Sequence, residues 1–145
     1  RPMHRPRDTE TFFFYGTLMD ADVRAAVLGN LGADATGAAD SLEGWQRVGL
    51  RGRTYPVIVP APGAVVEGLV VSFADGTGKA VTDLLISFEG AEYALETLTL
   101  LSGEAALVFV GSRHCHPTGR PWSLSNWELR HKRAFLAGIR RGRLV

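Results

Sequence analysis

Residues 11–19, with the sequence TFFFYGTLM, decide how this chain is interpreted. The four consecutive aromatic residues at positions 12–15 form a short apolar run with high strand propensity. Gly16 ends the run, because glycine adopts backbone angles that a strand residue does not hold. Asp20 and Asp22 follow, and either side chain can cap the start of a helix. The stretch therefore predicts a buried strand, a tight turn and a helix in succession.

The turn at residues 16–18 has two interpretations. A strand-to-helix turn leaves backbone N–H groups unpaired and pointing one way, and such groups bind a carboxylate or an oxyanion. The alternative is an ordinary connection, since strand–glycine–helix turns are common in α/β and α+β proteins. The turn by itself favours neither interpretation.

Length and composition predict one globular domain. The chain has 145 residues, of which 46% are hydrophobic and 21% are charged, and this suits a single core. We interpret residues 1–10 as a loose basic tail and residues 11–145 as the domain. No apolar run approaches the ~20 residues that span a membrane, so we expect no membrane association. The single cysteine, Cys115, excludes an internal disulfide, and we therefore expect a reducing, cytoplasmic location.

The small net charge of +1 conceals an uneven distribution. Residues 113–145 hold eight Lys or Arg and one acidic residue, whereas residues 1–112 hold eight Lys or Arg and fourteen acidic residues. A basic C-terminal segment can contact nucleic acid or a membrane surface. More often it is the solvated face and end of a helix, where cations suit the negative end of the helix dipole. We expect the latter, because the motifs and aromatic interleaving of nucleic-acid-binding proteins are missing.

Short strands and turns alternate along the chain, with helices between them. Apolar residues at helical spacing predict a helix over residues 75–89, with Asp75 as its cap and Gly90 at its end. Ser125 and Glu128 have the spacing of a capping box, which opens a C-terminal helix to about residue 138. We predict strands at 40–50, at 55–60 on a sheet edge, and at 65–73, 93–101 and 104–110, with a helix at 22–28, a hairpin loop at 61–64 and a loop at 113–121. This order predicts an α+β fold with a mostly antiparallel sheet or a small barrel. Gly44 and Gly49 indicate a bent or bulged strand, and Gly68 indicates a bulge or a close backbone approach.

Glu89 is the candidate acid, on the last turn of the predicted helix between Phe88 and Gly90. The negative end of the helix dipole disfavours a carboxylate there and apolar neighbours exclude water, so both effects raise its pKa. A glutamate tuned toward neutral pH can take up a proton and return it, as general acid–base catalysis requires. The alternative is a surface glutamate near a helix end, which the physics alone favours. We expect the nearby Glu92 to be solvated.

The cluster RHCH at residues 113–116 contains the residue types that ligate metals. Nothing else in the sequence supplies a matching half-site, so we predict no metal site. Cys115 is a weak candidate nucleophile, because no feature of the sequence indicates a lowered pKa. We expect Trp122 and Trp127 to pack in the core or dock a helix, and His131 to be partly exposed.

Three short motifs, taken in order, resemble the gamma-glutamylcyclotransferase-like superfamily. They are YGTL at residues 15–18, YPVIVP at residues 55–60 and FEGAEY at residues 88–93, with Gly63, Val66 and Gly68 resembling the family's central hairpin. The nearest match is the bacterial and plant branch that includes gamma-glutamylamine cyclotransferase. The resemblance covers about residues 12–110.

This resemblance implies a small mixed barrel with peripheral helices and a reaction without metal or cofactor. In that reaction the alpha-amino group of a gamma-glutamyl amine or amide attacks its own gamma-carbonyl, closes 5-oxoproline and expels an amine. The resemblance assigns the proton transfer to Glu89 and the binding of the glutamyl part to the backbone of the turn. The implied substrate-binding residues are Tyr15, Gly16, Thr17, Leu18 and Tyr93. Either tyrosine is expected to hydrogen-bond the substrate.

One departure from the family pattern is Leu95, two residues after the tyrosine of the third motif, where many relatives carry arginine. It leaves open an altered substrate choice or a degenerate site. The alternative function is therefore a non-catalytic module that binds a carboxylate or gamma-glutamyl ligand. The expected partner is a small-molecule gamma-glutamyl substrate rather than nucleic acid or a membrane, and the expected assembly is a monomer or a homodimer.

Overall fold

The computed structural model describes residues 10–33, 35–74 and 76–140. Residues 1–9 of the predicted tail and the predicted helix cap Asp75 lie outside the described residues. Within them the elements are, in chain order, β1 (Thr11–Phe14), a 3-10 turn (Thr17–Met19), α1 (Ala21–Leu28), a second 3-10 turn (Gly29–Gly32), β2 (Thr36–Leu50), β3 (Pro56–Ser72), α2 (Gly78–Glu89), β4 (Tyr93–Thr99), β5 (Ala105–Gly111), β6 (Pro117–Pro121), α3 (Leu124–Arg130) and α4 (Lys132–Arg140).

The six strands form one curled sheet, a half-barrel, in the order β4-β5-β1-β3-β2-β6. Neighbouring strands run antiparallel except β1 and β5, which pair in parallel with Phe12 opposite Leu107. The helices pack against the sheet through a core of apolar side chains. The predicted α+β class and mostly antiparallel sheet are confirmed.

β1 lies between β5 and β3, and its aromatic run is buried. Successive strand residues point to opposite faces of a sheet. Phe12 and Phe14 accordingly pack into the core that the helices share, which includes Trp127. Phe13 and Tyr15 pack into a second core on the other face of the sheet. An uninterrupted aromatic run is therefore what this central position requires.

The path of β3 differs from the prediction. Residues 55–60 and 65–73 were expected to be two strands joined by a hairpin loop at 61–64, but they belong to one strand that pairs with β2. Trp45 lies opposite Pro60 and Glu43 lies opposite Val65, so residues 61–64 bulge out opposite Gly44. Proline and glycine signal a break in the ladder. Here the break is a bulge rather than a turn, because both flanking segments find their partner in β2.

The proline-bounded half of β3 has few strand neighbours. Among the described residues, β1 pairs with β3 only at residues 69–72, so residues 56–60 pair with β2 alone. This agrees with the edge position predicted from the prolines in that half.

Three further predictions near the C-terminus are wrong. Residues 117–121 are the edge strand β6, paired with β2, rather than a loop. Its side chains are all exposed, so the segment carries no hydrophobic pattern. The helix cap is Ser123, whose side chain accepts a hydrogen bond from the Asn126 N–H at 3.2 Å, whereas Ser125 lies inside the helix. The predicted single helix is divided at His131 into α3 and α4.

Gly68 permits the close approach of β3 to β1 that the sequence predicts. A Cβ atom at this position would lie 2.5 Å from the carbonyl oxygen of Phe14 and 2.7 Å from Cζ of Phe13. Neither neighbour can move freely, because one is backbone in the central strand and the other is a ring buried in the core.

We expect Gly68→Ala to lower the free energy of unfolding by about 1–3 kcal/mol, the usual cost of overpacking. Gly138→Ala on α4 is the matched control, because a Cβ there meets no heavy atom of the described residues within 4 Å, apart from its chain neighbours and the backbone of its own helix. Alanine is favoured over glycine in a helix by about 0.5–1 kcal/mol, so this variant should be as stable as the wild type or more so. Urea unfolding measures both changes. Wild-type stability in Gly68→Ala would contradict the close approach.

Candidate active site

A cavity of about 540 Å³ opens beside the C-terminal end of β1. Its lining comes from the end of β1, the first 3-10 turn, the end of α2, the start of β4, and α4. All six residues singled out from the sequence line it: Tyr15, Gly16, Thr17, Leu18, Glu89 and Tyr93. The fold thus brings together the first and third motifs, which lie about seventy residues apart in the sequence.

The segment at residues 16–19, here called the glycine turn, is fixed from the side of α1. Asp20 caps α1, since its carboxylate accepts a hydrogen bond from the Val23 N–H at 3.0 Å. Arg24, one turn further along, donates to the carbonyl oxygens of Leu18 at 3.0 Å and Met19 at 2.8 Å. The capping position predicted for Asp20 is confirmed. The carbonyls of the turn are therefore held by α1.

The amide groups at the start of the glycine turn are left open by its own hydrogen bonds. The Met19 N–H donates to the Gly16 carbonyl at 3.0 Å, and the Asp20 N–H donates to the Thr17 carbonyl at 3.0 Å. The N–H groups of Thr17 and Leu18 precede these donors, and both residues line the cavity. Amides in this position at the start of a helical turn suit a carboxylate or an oxyanion.

Glu89 is the last residue of α2, which ends at Gly90 with a φ of 83°. The residue is partly buried at the cavity, and this burial raises the pKa of its carboxyl to about 8. Within residues 10–33, 35–74 and 76–140 no hydrogen bond or ion pair reaches the carboxyl. Glu89 is therefore a cavity residue rather than a solvated one, and it is mostly protonated at neutral pH.

Tyr15 and Tyr93 line the cavity, but their hydroxyl protons are committed to the backbone. The Tyr15 hydroxyl donates to the Phe109 carbonyl oxygen, and the Tyr93 hydroxyl donates to the Pro56 carbonyl oxygen at 2.6 Å. Burial raises the pKa of both phenols well above the usual value, so both are neutral. The structure thus makes them supports of the cavity wall. Donation from either phenol to a substrate would first require the loss of a backbone hydrogen bond.

Three polar residues of the cavity lining were not identified from the sequence as site residues: Arg53, Tyr55 and Glu92. Glu92 was expected to be solvated, but its Oε1 accepts hydrogen bonds from Arg53 Nε and the Tyr55 hydroxyl, each at 3.1 Å. Tyr55 and Glu92 belong to the second and third motifs, so a signal existed for them. Arg53 lies two residues before the start of the second motif, and nothing in the sequence marked it as a site residue.

The cavity wall also contains Phe88 and Phe135, from α2 and α4. Their rings pack edge to face with centroids 6.1 Å apart. Phe135 lies in the basic C-terminal segment between the apolar residues Ala134 and Leu136, and no motif marked it. Sequence reasoning gave it no role.

The other candidates lie away from this chemistry. Burial raises the pKa of the Cys115 thiol, so the structure gives no sign of an activated nucleophile there. In the described part of the chain, no group of three or more His, Cys, Asp or Glu side chains is placed to hold a metal ion. The helices of the described residues include none that is long and apolar enough to cross a membrane.

Leu95, the departure from the family pattern, packs against the core that contains β1 and the helices. It is absent from the cavity lining formed by the described residues. The apolar side chain suits this partly buried place on β4.

Comparison with known proteins identifies the class. A family model described as gamma-glutamyl cyclotransferase, AIG2-like, matches residues 12–129. The chain therefore belongs to this family, as the three motifs indicated.

Individual relatives support the same family. AIG2-like protein D of Arabidopsis thaliana is 28% identical over 131 residues, which cover 86% of this chain and 82% of the relative. The solution structure of At5g39720.1 from the same plant superposes with a TM-score of 0.64 at 26% identity, over 92% of this chain and 90% of that one. A structure described as a gamma-glutamyl cyclotransferase shares the fold, with a TM-score of 0.57 at 13% identity over 75% of this chain and 69% of that one.

The raised pKa of Glu89 predicts a pH dependence of stability. Between about pH 4.5, the ordinary value, and about pH 8, the folded state keeps a proton that the unfolded state has lost. Folding stability therefore falls as the pH rises through this window, and it falls less in Glu89→Gln. Urea unfolding at pH 5, 7 and 9 measures the difference between the two proteins. We expect the variant to gain stability relative to wild type with rising pH.

A carboxyl ¹³C titration gives the pKa directly. We expect one glutamate resonance with a midpoint near pH 8 that disappears in Glu89→Gln. A Glu89 midpoint near pH 4.5 would mean that water reaches the carboxyl.

Proposed function

We propose that this protein releases 5-oxoproline and an amine from a gamma-glutamyl amine or amide, with Glu89 as the general acid–base. The proposal is carried by one observation: a carboxyl with a pKa of about 8 shares a cavity with the open amides of the glycine turn. Membership of the gamma-glutamyl cyclotransferase, AIG2-like family supports it. The proposed reaction is metal-independent and acts on a small molecule in the cytoplasm.

The chemistry needs little more than a folded substrate and one proton carrier. Attacking and leaving groups belong to the same molecule, so the site has to hold the conformer in which they meet. The alpha-amino nitrogen forms a bond to the gamma-carbonyl carbon, and the bond from that carbon to the leaving nitrogen breaks. The ionised form of Glu89 takes the proton from the attacking nitrogen and returns it to the departing amine.

A pKa near 8 suits both halves of this proton transfer. At pH 7 roughly a tenth of Glu89 is ionised and able to accept a proton, and its conjugate acid is strong enough to protonate an amine. A solvated glutamate would be ionised at that pH but a much weaker base. The amides of Thr17 and Leu18 stabilise the substrate carboxylate or the oxyanion that forms as the ring closes. Tyr15 and Tyr93 shape the wall around the glutamyl part.

The second candidate is a module that binds the same ligands without reacting. It is favoured by the commitment of both tyrosine hydroxyls to the backbone, which leaves few polar groups free in the cavity. This alternative predicts that gamma-glutamyl compounds raise the melting temperature while no lactam forms.

We expect Glu89→Gln to lower the turnover of gamma-glutamyl substrates by about 10²–10⁴-fold, the usual contribution of a general acid–base. The assay measures 5-oxoproline released from a panel of gamma-glutamyl amines and amides. Glu96→Gln is the matched control, because Glu96 is an exposed glutamate on β4 that does not line the cavity described here. It should retain wild-type turnover.

The outcomes separate the candidates. Unchanged turnover in Glu89→Gln would remove that residue from the mechanism. Thermal stabilisation of the wild type by the same compounds, without 5-oxoproline, would establish the binding module instead.

A further inference from the structure

The cavity has an aromatic wall, formed by Phe88 and Phe135. Their rings come from different helices, α2 and α4, and meet edge to face at 6.1 Å. Trp127 also packs edge to face against Phe135, with ring centroids 5.6 Å apart. Both phenylalanines are partly exposed and line the cavity. The aromatic wall therefore offers apolar surface next to Glu89, which directly follows Phe88 in the chain.

α4 is held firmly beside the glycine turn. Lys132, its first residue, forms ion pairs at 2.8 Å with Asp20 and with Asp22. Asp20 is the cap of α1 and directly follows the glycine turn. One turn after Lys132, Leu136 is buried in the core. Phe135 is thus fixed relative to the open amides, although it lies beyond residues 12–129, which the family model matches.

The charged groups at the cavity are already balanced. Arg53 and Glu92 pair with each other, and Glu92 also accepts from Tyr55. Glu89 is mostly protonated at neutral pH because its pKa is about 8. Arg53 is the one cation of the described lining and already pairs with Glu92, so no positive charge is left for a carboxylate on the leaving part of a substrate. Burial of a carboxylate against aromatic rings without a partner is costly.

We propose that the aromatic wall of Phe88 and Phe135 binds the leaving amine, and that this protein acts on gamma-glutamyl derivatives of apolar, uncharged aryl or alkyl amines. Phe135 is the specificity-determining residue. The inference rests on the proposed function, because it places the glutamyl part at the glycine turn and the amine beyond Glu89.

The test measures binding rather than turnover, so that it does not depend on the reaction. Calorimetry with the Glu89→Gln protein compares gamma-glutamyl-benzylamide, gamma-glutamyl-methylamide and gamma-glutamylglycine. These three ligands share the glutamyl part. The amine part carries a phenyl ring in the benzylamide, a carboxylate in gamma-glutamylglycine, and neither group in the methylamide. We expect the benzylamide to bind at least tenfold more tightly than either of the others.

Substitution of Phe135 then locates the preference. In the same Glu89→Gln background, Phe135→Ala should bring benzylamide binding to the level of the methylamide, with methylamide binding itself unchanged. Phe135→Leu keeps most of the apolar volume, so it guards against a folding defect, and it should lose part of the preference. Leu129→Ala is the control, because Leu129 is 85% exposed on α3 and should leave all three affinities unchanged.

Three results would overturn the inference. One is equal or absent binding of the benzylamide, and another is a benzylamide preference that survives both substitutions of Phe135. The third is tighter binding of gamma-glutamylglycine than of the methylamide, which would show that Arg53 captures a carboxylate. If the benzylamide binds as expected while the wild-type protein releases no 5-oxoproline from it or from the methylamide, the proposed function fails and the apolar subsite stands.

Discussion

The arrangement of the cavity depends on the burial of the aromatic run in β1. The four side chains alternate between two cores, so the strand cannot shift along its neighbours without moving aromatic rings from one core to the other. The close approach at Gly68 fixes its distance from β3 as well. The position at which the aromatic run ends is therefore fixed relative to the neighbouring strands. The glycine turn begins there, and its residues line the cavity.

A second set of interactions ties the turn to the helices. Arg24 holds the carbonyl oxygens of the turn, Asp20 caps the helix that carries Arg24, and Lys132 of α4 pairs with Asp20. These contacts hold the backbone of the glycine turn in place, and with it the amides at the start of the turn. Preorganised donors of this kind are effective because no reorganisation is needed when charge develops. The same ion pair joins α4 to the start of α1.

Local signals predicted much of the fold and the site. The strand, the turn and the helix cap at residues 11–20 depend on interactions between neighbouring residues. The sequence therefore indicated them through the apolar run, Gly16 and Asp20. The third motif likewise indicated where α2 ends and β4 begins. The presence of Glu89 in the same cavity was an expectation of the family resemblance, which the geometry of the fold supports.

Features that depend on distant partners were missed. The bulge at residues 61–64 was interpreted as a turn, because proline and glycine mark a break without saying which strand lies opposite. β6 was missed because an exposed edge strand has no apolar pattern, and its partner, β2, lies about seventy residues earlier. The Tyr15 and Tyr93 hydroxyls donate to backbone carbonyl oxygens. Every residue has such an oxygen, so the sequence does not indicate which one a hydroxyl reaches.

The position of α4 has a consequence for how this family can diversify. Glu89, the proton carrier of the proposed function, and the amides of the glycine turn lie within residues 12–129, which the family model matches, whereas Phe135 lies in α4, after them. Under the proposed function, the reacting groups and the aromatic wall therefore come from different segments of the chain. Exchange of α4 between relatives would then change which amines fit the cavity and leave the reacting groups unchanged, provided that a basic residue at the first position of the helix still pairs with Asp20.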